Sequence, residues 1–297
     1  MQRLAAPSFV VLAFLLGGRN GDADDAAPSK PPVAAAAKPS PAYRVVALDP
    51  KSAGVVAGRC VLEADVAAEP EDASRCCGGP RASDRVVVGR DHGLANCVVS
   101  LATIAQGRDW PETMRTDDRT ARLILEGEQA RYRHRVAWTR TGTQLVIDNR
   151  TTFDMNAHGF SGPETVFNFA VGPGKSPESV ADAFLSRAGT YTIRDDCCPG
   201  IDAVIWVSTH PYVVVTDAVD ATDRRSGSWR LDDVPPGTYD LVCWHEPLRR
   251  PSARVSDTSM SEIRLVRSVR IEAGKTTSVD FTIPVPESVR APVVVPK

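Results

Sequence analysis

The sequence predicts an all-β chain that carries one short helix. Three observations lead there. Apolar residues come in short runs rich in Val, Ile and Thr, many alternating with polar residues at the two-residue period of a pleated strand. The 21 glycines and 23 prolines supply frequent breaks between those runs. Only one window, Ser176 to Gly189, carries the punctuation of a helix: Ser176 to cap, Pro177 at the first helical position, Gly189 to end it, and Val180, Phe184 and Leu185 as a short apolar face.

The N-terminus reads as an export signal over residues 1–20. "MQR" is a short basic start, and Leu4 to Gly18 is an apolar stretch shorter than the ~20 residues that span a bilayer. No cysteine follows it, so a lipoprotein anchor is not supported, and no later window is apolar enough to span a membrane. Residues 21–42 are rich in Ala, Pro, Asp, Lys and Ser and lack aromatics, the composition of an extended tether. Strand patterns follow at Tyr43 to Leu48 and Gly54 to Val66, then a polar loop from Glu69 to Asp84. "RVVVG" and Leu94 to Ile104 are strands set apart by the turn "RDHG". After the linker "RDWPETMRTDDRT", strands return at Arg122 to Glu126, Arg135 to Thr139 and Thr143 to Asn149, the last two joined by the tight turn "TRTG". "TYTIRD", "AVIWVS" and "YVVVTD" are β-rich. Gly227 to Trp244 reads as two strands joined at "VPPG", where Pro236 and Gly237 suit a type II turn, and a last hairpin surrounds "EAGK". No internal repeat is visible.

A net charge of -2 offers no basic field for phosphate backbones, so nucleic acid is not expected as a partner. Seven cysteines are present: Cys60, Cys76, Cys77, Cys97, Cys197, Cys198 and Cys243. An exported chain should pair some of them, and an odd count leaves one over. The vicinal pairs Cys76-Cys77 and Cys197-Cys198 lie in turn-like sequence and are the first candidates to cross-link with each other. Cys60, Cys97 and Cys243 sit inside apolar runs and read as small buried hydrophobes.

Four stretches in order carry a resemblance. "RVVVGRDHGLANCVVSL", "TGTQLVIDN", "STHPYVVVTD" and "WRLDDVPPGTYDLVCWHE" resemble elements of exported bacterial proteins, labelled plastocyanin-like or methylamine-utilisation proteins, in which a cupredoxin-like domain accompanies a carboxypeptidase-regulatory-like (prealbumin-like) β-sandwich. The resemblance covers roughly Ala53 to Leu248. It implies a regulatory-like sandwich split over residues 43–109 and 209–288, an inserted cupredoxin-like Greek-key sandwich over 110–208, and a tail over 289–297. Two tandem sandwiches are the alternative.

The resemblance also implies where copper would bind. A blue-copper centre takes two imidazoles, a thiolate and a weak axial thioether. In this sequence the first ligand loop is "NRTTFDMNAH", with Met155 at a ligand-histidine position and His158 retained. The second is "DDCCPGI", with Asp195 at the thiolate position, Cys198 at the histidine and Ile201 at the methionine. A further element, "ARYRHRV", has Ala130 where relatives have cysteine and His134 where they have proline. The departures concentrate at the metal, which argues against a blue-copper centre. If the loops meet as in the relatives, Met155, His158, Cys197 and Cys198 form an alternative soft-metal set for Cu(I) or, less well, zinc, provided the thiols stay reduced. Export favours oxidation, so a disulfide-stapled fold without cofactor is the preferred expectation, with copper as the alternative.

"CWHE" is the other chemical cluster. His245 and Glu246 are neighbours, and neighbours on a strand point to opposite faces, so Trp244 is expected to pack and His245 to bond to backbone. His210, before Pro211 and Tyr212, is expected to be held by a hydrogen bond at the start of a strand. "HGFSG" lacks the glycine spacing of a nucleophile elbow, and no P-loop or dinucleotide fingerprint occurs. No enzyme activity is expected. The reading is a non-catalytic exported protein at the periplasm or cell surface, with an unknown protein or glycan of the envelope as partner. The alternatives are a copper-binding or electron-transfer protein and a carbohydrate- or envelope-binding module.

Overall fold

The computed structural model describes residues 42–49, 51–67, 83–115, 120–174, 178–198, 200–217, 226–249 and 261–291. The predicted export signal, nearly all of the tether, Cys76, Cys77, Ser176, Pro177 and residues 292–297 of the predicted tail lie outside them. The strands run β1 (Arg44–Val45), β2 (Gly54–Leu62), β3 (Val98–Leu101), β4 (Gln106–Gly107), β5 (Thr120–Glu126), β6 (Arg131–Tyr132), β7 (Val136–Arg140), β8 (Thr143–Asn149), β9 (Met155–Ser161) and β10 (Glu164–Val171). They continue as β11 (Glu178–Leu185), β12 (Gly189–Asp195), β13 (Asp202–Ser208), β14 (Val213–Val215), β15 (Ser228–Val234), β16 (Gly237–His245), β17 (Ile263–Ile271), β18 (Thr276–Ser278) and β19 (Phe281–Ile283). The chain is all-β, and its only helical elements among the described residues are 3-10 turns of three residues.

Two pairs of sheets form. A five-stranded sheet, β10-β9-β12-β13-β7, faces a four-stranded one, β11-β8-β5-β6, across a core that includes Leu125, Leu145, Ile147, Met155, Ile193 and Ile205. The sheet β14-β3-β16-β17 faces β15-β2-β18, with β19 extending along β2, across a core that includes Val56, Leu101, Trp229, Leu241 and Phe281. The first pair uses only strands between Thr120 and Ser208; the second uses strands on both sides of that span. Val289 is buried in the second core and Arg290 bridges to Val66, so the described start of the predicted tail is tied into the fold.

The predicted helix is a strand. β11 pairs with β8, Glu178 opposite Ile147 and Leu185 opposite Thr143, with an irregularity between Ser179 and Phe184. Its placement closes one edge of β8, whose other edge is taken by β5. Phe184 is exposed and Leu185 fully buried, so the two do not share the face that a helix would have given them. The demand of β8 for a hydrogen-bonding neighbour outweighs the local helix punctuation.

The predicted hairpins are also corrected. β15 and β16, either side of "VPPG", lie in different sheets, and so do β17 and β18, either side of "EAGK". "TRTG" likewise carries the chain from β7 in the five-stranded sheet to β8 in the facing one. Each turn is a corner of a sandwich. Gly237 is absent from the left-handed residues among those described, so "VPPG" is not a type II turn; Asp233 takes the positive φ, at 55°.

The two sandwiches share a third apolar cluster. Val98, Val213 and Trp244 of one pack with Val136 and Val204 of the other, flanked by Trp138, Trp206 and Val215. β13 therefore buries both faces: Ala203, Ile205 and Val207 in its own core, Val204 against the neighbour. That explains why "AVIWVS" is an unbroken apolar run rather than an alternating one.

Beside this cluster lies a buried ion network. Arg135 donates from Nε to Glu246 Oε2 at 2.7 Å, from Nη2 to Glu246 Oε1 at 3.0 Å, and from Nη1 to Asp202 Oδ1 at 2.6 Å and Asp84 Oδ1 at 2.9 Å. Arg85 joins Glu246 and reaches Asp202 at 2.6 Å. Burial alone would raise both carboxyl groups; the Arg135 and Arg85 guanidiniums outweigh it and hold Asp202 and Glu246 below the usual carboxylate range. His210 is buried with Nε2 toward the Leu101 carbonyl at 3.0 Å and Nδ1 accepting the Tyr212 N–H at 3.3 Å. Burial holds its pKa down to about 4, against the raising effect of the bond to Leu101.

Two outcomes follow from this network. Glu246→Ala should cost about 3 kcal/mol in denaturant unfolding, because two buried guanidiniums each lose one carboxylate partner; replacing Arg135 and Glu246 together by Met and Leu should cost less than the single change. Acid should destabilise in two windows. Between about pH 6.5 and 4 the unfolded chain takes a proton on His210 that the folded chain refuses, so stability falls by about 3 kcal/mol as pH drops. Below about pH 4 the protonation of Glu246 and Asp202 removes the rest. Unfolding curves at pH 7, 5 and 3 check both, and His210→Gln should make the upper window shallower, leaving the part that buried His245 carries.

Candidate functional site

The two loops that resemble copper loops are ordered by their own residues. Asn149, fully buried, donates to the Phe153 carbonyl at 2.8 Å and the Val171 carbonyl at 3.1 Å, and its Oδ1 accepts from Thr151. In the second loop Asp195 Oδ1 accepts the backbone N–H groups of Cys197 at 2.8 Å and Cys198 at 2.5 Å. Its Oδ2 takes the Asn156 N–H at 2.8 Å, tying the loops together. Burial raises the Asp195 carboxyl, and those three amides oppose it.

The residues set at the copper positions divide between two faces. Along β9 burial alternates, so Met155 points into the core while His158, three residues on, points out. Met155 and Cys198 belong to one apolar core, as does Ile201. Cys198 is disulfide-bonded and Cys197 is exposed. His158 sits on the outer face with Nδ1 3.0 Å from Asp196, Nε2 3.0 Å from Thr165, and its ring 4.1 Å from that of Phe160. The structure thus brings Met155 and Cys198 together and leaves His158 on the other side of the sheet.

The other predicted residues have structural partners. Trp244 donates from Nε1 to Glu262 at 2.6 Å and packs 6.0 Å from Trp206. Glu246 belongs to the ion network. His245, fully buried, places Nδ1 2.7 Å from the Glu246 carbonyl, so Nδ1 carries the proton and Nε2 keeps a bare lone pair. Among the described residues that Nε2 has no hydrogen-bond partner. Burial lowers the His245 pKa and keeps the ring neutral.

A metal-competent group lies where the sequence showed only hydrophobes. Cys60 on β2, Cys97 just before β3 and Cys243 on β16 are fully buried, and their three Sγ atoms lie within 4.8 Å of one another. The Cys60 and Cys243 sulfurs are 3.6 Å apart. Hydrogen bonds from Cys60 and Cys97 draw the Cys243 thiol down to about 5, whereas the other two are pushed up. Among the described residues this is the one group of three or more His, Cys, Asp or Glu donors so placed. Its members are 37 and 146 residues apart in sequence, from 60 to 97 and from 97 to 243, so no spacing motif betrays them. The available signal was that all three occupy apolar strand runs of one sandwich.

No family model matches the chain, and no curated protein matches it. Solved structures of amicyanin do. A mutant in the reduced Cu(I) form at pH 4 is 12% identical, with 37% of this chain and 98% of that chain covered and a TM-score of 0.26. A second reduced mutant gives the same values. Amicyanin from Paracoccus versutus (Thiobacillus versutus) is 10% identical, covers 37% and 97%, and also gives 0.26.

Deep burial of the three thiols sets an expectation. Alkylation of the native, reduced chain should leave Cys60, Cys97 and Cys243 unmodified, and all three should react once denaturant unfolds it, as read by peptide mass spectrometry.

Proposed function

We propose that this is a non-catalytic exported β-sandwich protein with a binding or structural role in the cell envelope. Its cupredoxin-like part, named from the sequence resemblance, would hold no blue-copper centre. One observation carries this reading: each residue at an expected ligand position serves the fold instead. Met155 and Ile201 fill the core, Asp195 accepts three loop amides, and Cys198 is committed to a disulfide. The conversion is chemical as well as spatial. The Asp195 carboxylate gives three of its roughly four acceptor sites to backbone N–H groups, and a disulfide sulfur is no thiolate.

The binding role has a surface on which to act. A groove of about 470 Å³ opens where the two sandwiches meet, walled by Asn96, Val213 to Val215 and Asp217 on one side and Arg133 to Trp138 on the other. It presents Arg133, His134 and Trp138 together, a mixed polar and aromatic lining suited to a protein or glycan. Arg135 of one wall bonds to Asp84, whose backbone carbonyl accepts from Asn96 of the other.

Loading the purified chain with Cu(II) should give neither the intense thiolate-to-copper absorption nor the EPR spectrum of a blue-copper centre. A stoichiometric blue-copper signal, lost in Met155→Ala or His158→Ala, would reverse the reading.

A further inference from the structure

Three thiols end in one apolar core, and a buried imidazole lone pair lies on the same strand as one of them. Cysteines that serve as small hydrophobes have no reason to converge. Here Cys60 comes from one sheet, Cys243 from β16 of the facing sheet, and Cys97 from the residue just before β3, the strand that pairs with β16. The Cys60–Cys243 separation of 3.6 Å exceeds the ~2.0 Å of a disulfide. It is close to the edge that a shared cation requires. Metal–sulfur bonds of about 2.3 Å place two sulfurs about 3.8 Å apart in a tetrahedron and about 4.0 Å apart in a trigonal plane. No carboxylate belongs to the group, so the donors are all soft sulfur, which selects Cu(I) or zinc and excludes magnesium and calcium.

His245 adds a second, independent observation. It lies two residues beyond Cys243 on β16, on the same face of the strand. The register pairs Trp244 with Val98, which carries His245 to the level of Cys97. Metal-binding imidazoles hold their orientation by donating the other ring N–H to a carbonyl or carboxylate. His245 already donates that way, to the Glu246 carbonyl, and Glu246 is itself pinned by Arg135. What remains is a fully buried Nε2 lone pair without a partner, a cost that a bound cation would relieve. As the structure stands Nε2 is not part of the sulfur group.

We propose that Cys60, Cys97 and Cys243 form a binding site for a thiophilic cation, zinc or Cu(I), that ties the two sheets of this sandwich together. Binding exchanges thiol protons for the metal: each sulfur that ligates releases its proton to solvent. Zinc would recruit His245 as the fourth donor of a tetrahedral set. Cu(I) is satisfied by the three sulfurs in a plane. The site lies in the sandwich that the copper-loop resemblance does not concern, so it stands whether or not the cupredoxin-like loops bind anything.

The test uses the full chain, unfolded and refolded anaerobically under reducing conditions with one equivalent of zinc chloride or of Cu(I). Elemental analysis after desalting should find about one metal per chain. X-ray absorption at the metal edge should find three sulfur neighbours, with one nitrogen added for zinc only. Cys97→Ala should retain less than a tenth of the wild-type metal while keeping the far-ultraviolet circular dichroism of a β protein. His245→Ala should lower zinc affinity at least tenfold and leave Cu(I) nearly unchanged. Met155→Ala and Cys197→Ser, outside the site, should bind as wild type does. Should Cys97→Ala fail to fold, the sulfur count on the wild-type metal still decides. The proposal is overturned by substoichiometric metal in the wild type, by fewer than three sulfurs around it, by loss of metal in Cys197→Ser, or by a Cys60–Cys243 disulfide in the chain as isolated.

Discussion

A guanidinium buried away from water must be paired, and Arg135 is the one on which the arrangement rests. It sits just before β7 and takes Glu246 from the other sandwich in a two-point grip, with Asp202 from its own. Arg85 closes the set from the far side. Coulomb attraction at this burial is directional, because each carboxylate oxygen has its own N–H to accept. The network therefore fixes how the sandwiches register, whereas the Val and Trp cluster beside it supplies non-directional burial. Neither would suffice alone: apolar faces can slide, and unpaired charges cannot stay buried.

That junction also decides the fate of neighbouring groups. Glu246 is held from both sides, so its backbone carbonyl is a fixed acceptor for His245, and the His245 tautomer follows. The consequence reaches the interior of the second sandwich, where the bare Nε2 stands near the level of the cysteine trio. In the first sandwich the logic is opposite. There Asn149 and Asp195 organise two loops, their side chains satisfying backbone groups directly.

Strand positions were legible because β-branched runs and alternation report local burial, and most of the predicted strands are present. Connectivity was less so. "VPPG", "EAGK" and "TRTG" read as hairpin turns, yet each crosses between sheets. A tight turn signals only a reversal of the chain; whether the next strand pairs with the last or packs opposite it depends on where an apolar face finds cover. The segment at Ser176 to Gly189 failed for a related reason, since its helix punctuation is local while the open edge of β8 is not. Of the candidate site, the bond of His245 to backbone and the packing of Trp244 were readable from strand alternation. The division of Met155 from His158 was latent in their odd spacing but needed β9 to be established as a strand.

By itself, the sequence determined an all-β chain and many of its strand segments, though not β9, β10 or β11. These depend on residue type and near neighbours, so they can be read in one dimension. Only the tertiary structure decided which turns are corners, that β13 is buried on both faces, that Arg135 meets Glu246, and that Cys60, Cys97 and Cys243 share one core. Each of these joins residues tens to hundreds of positions apart through sheet pairing and sandwich closure. Such contacts form where hydrogen-bonding edges and apolar faces must be covered at once, and no local pattern encodes which distant segment will cover them.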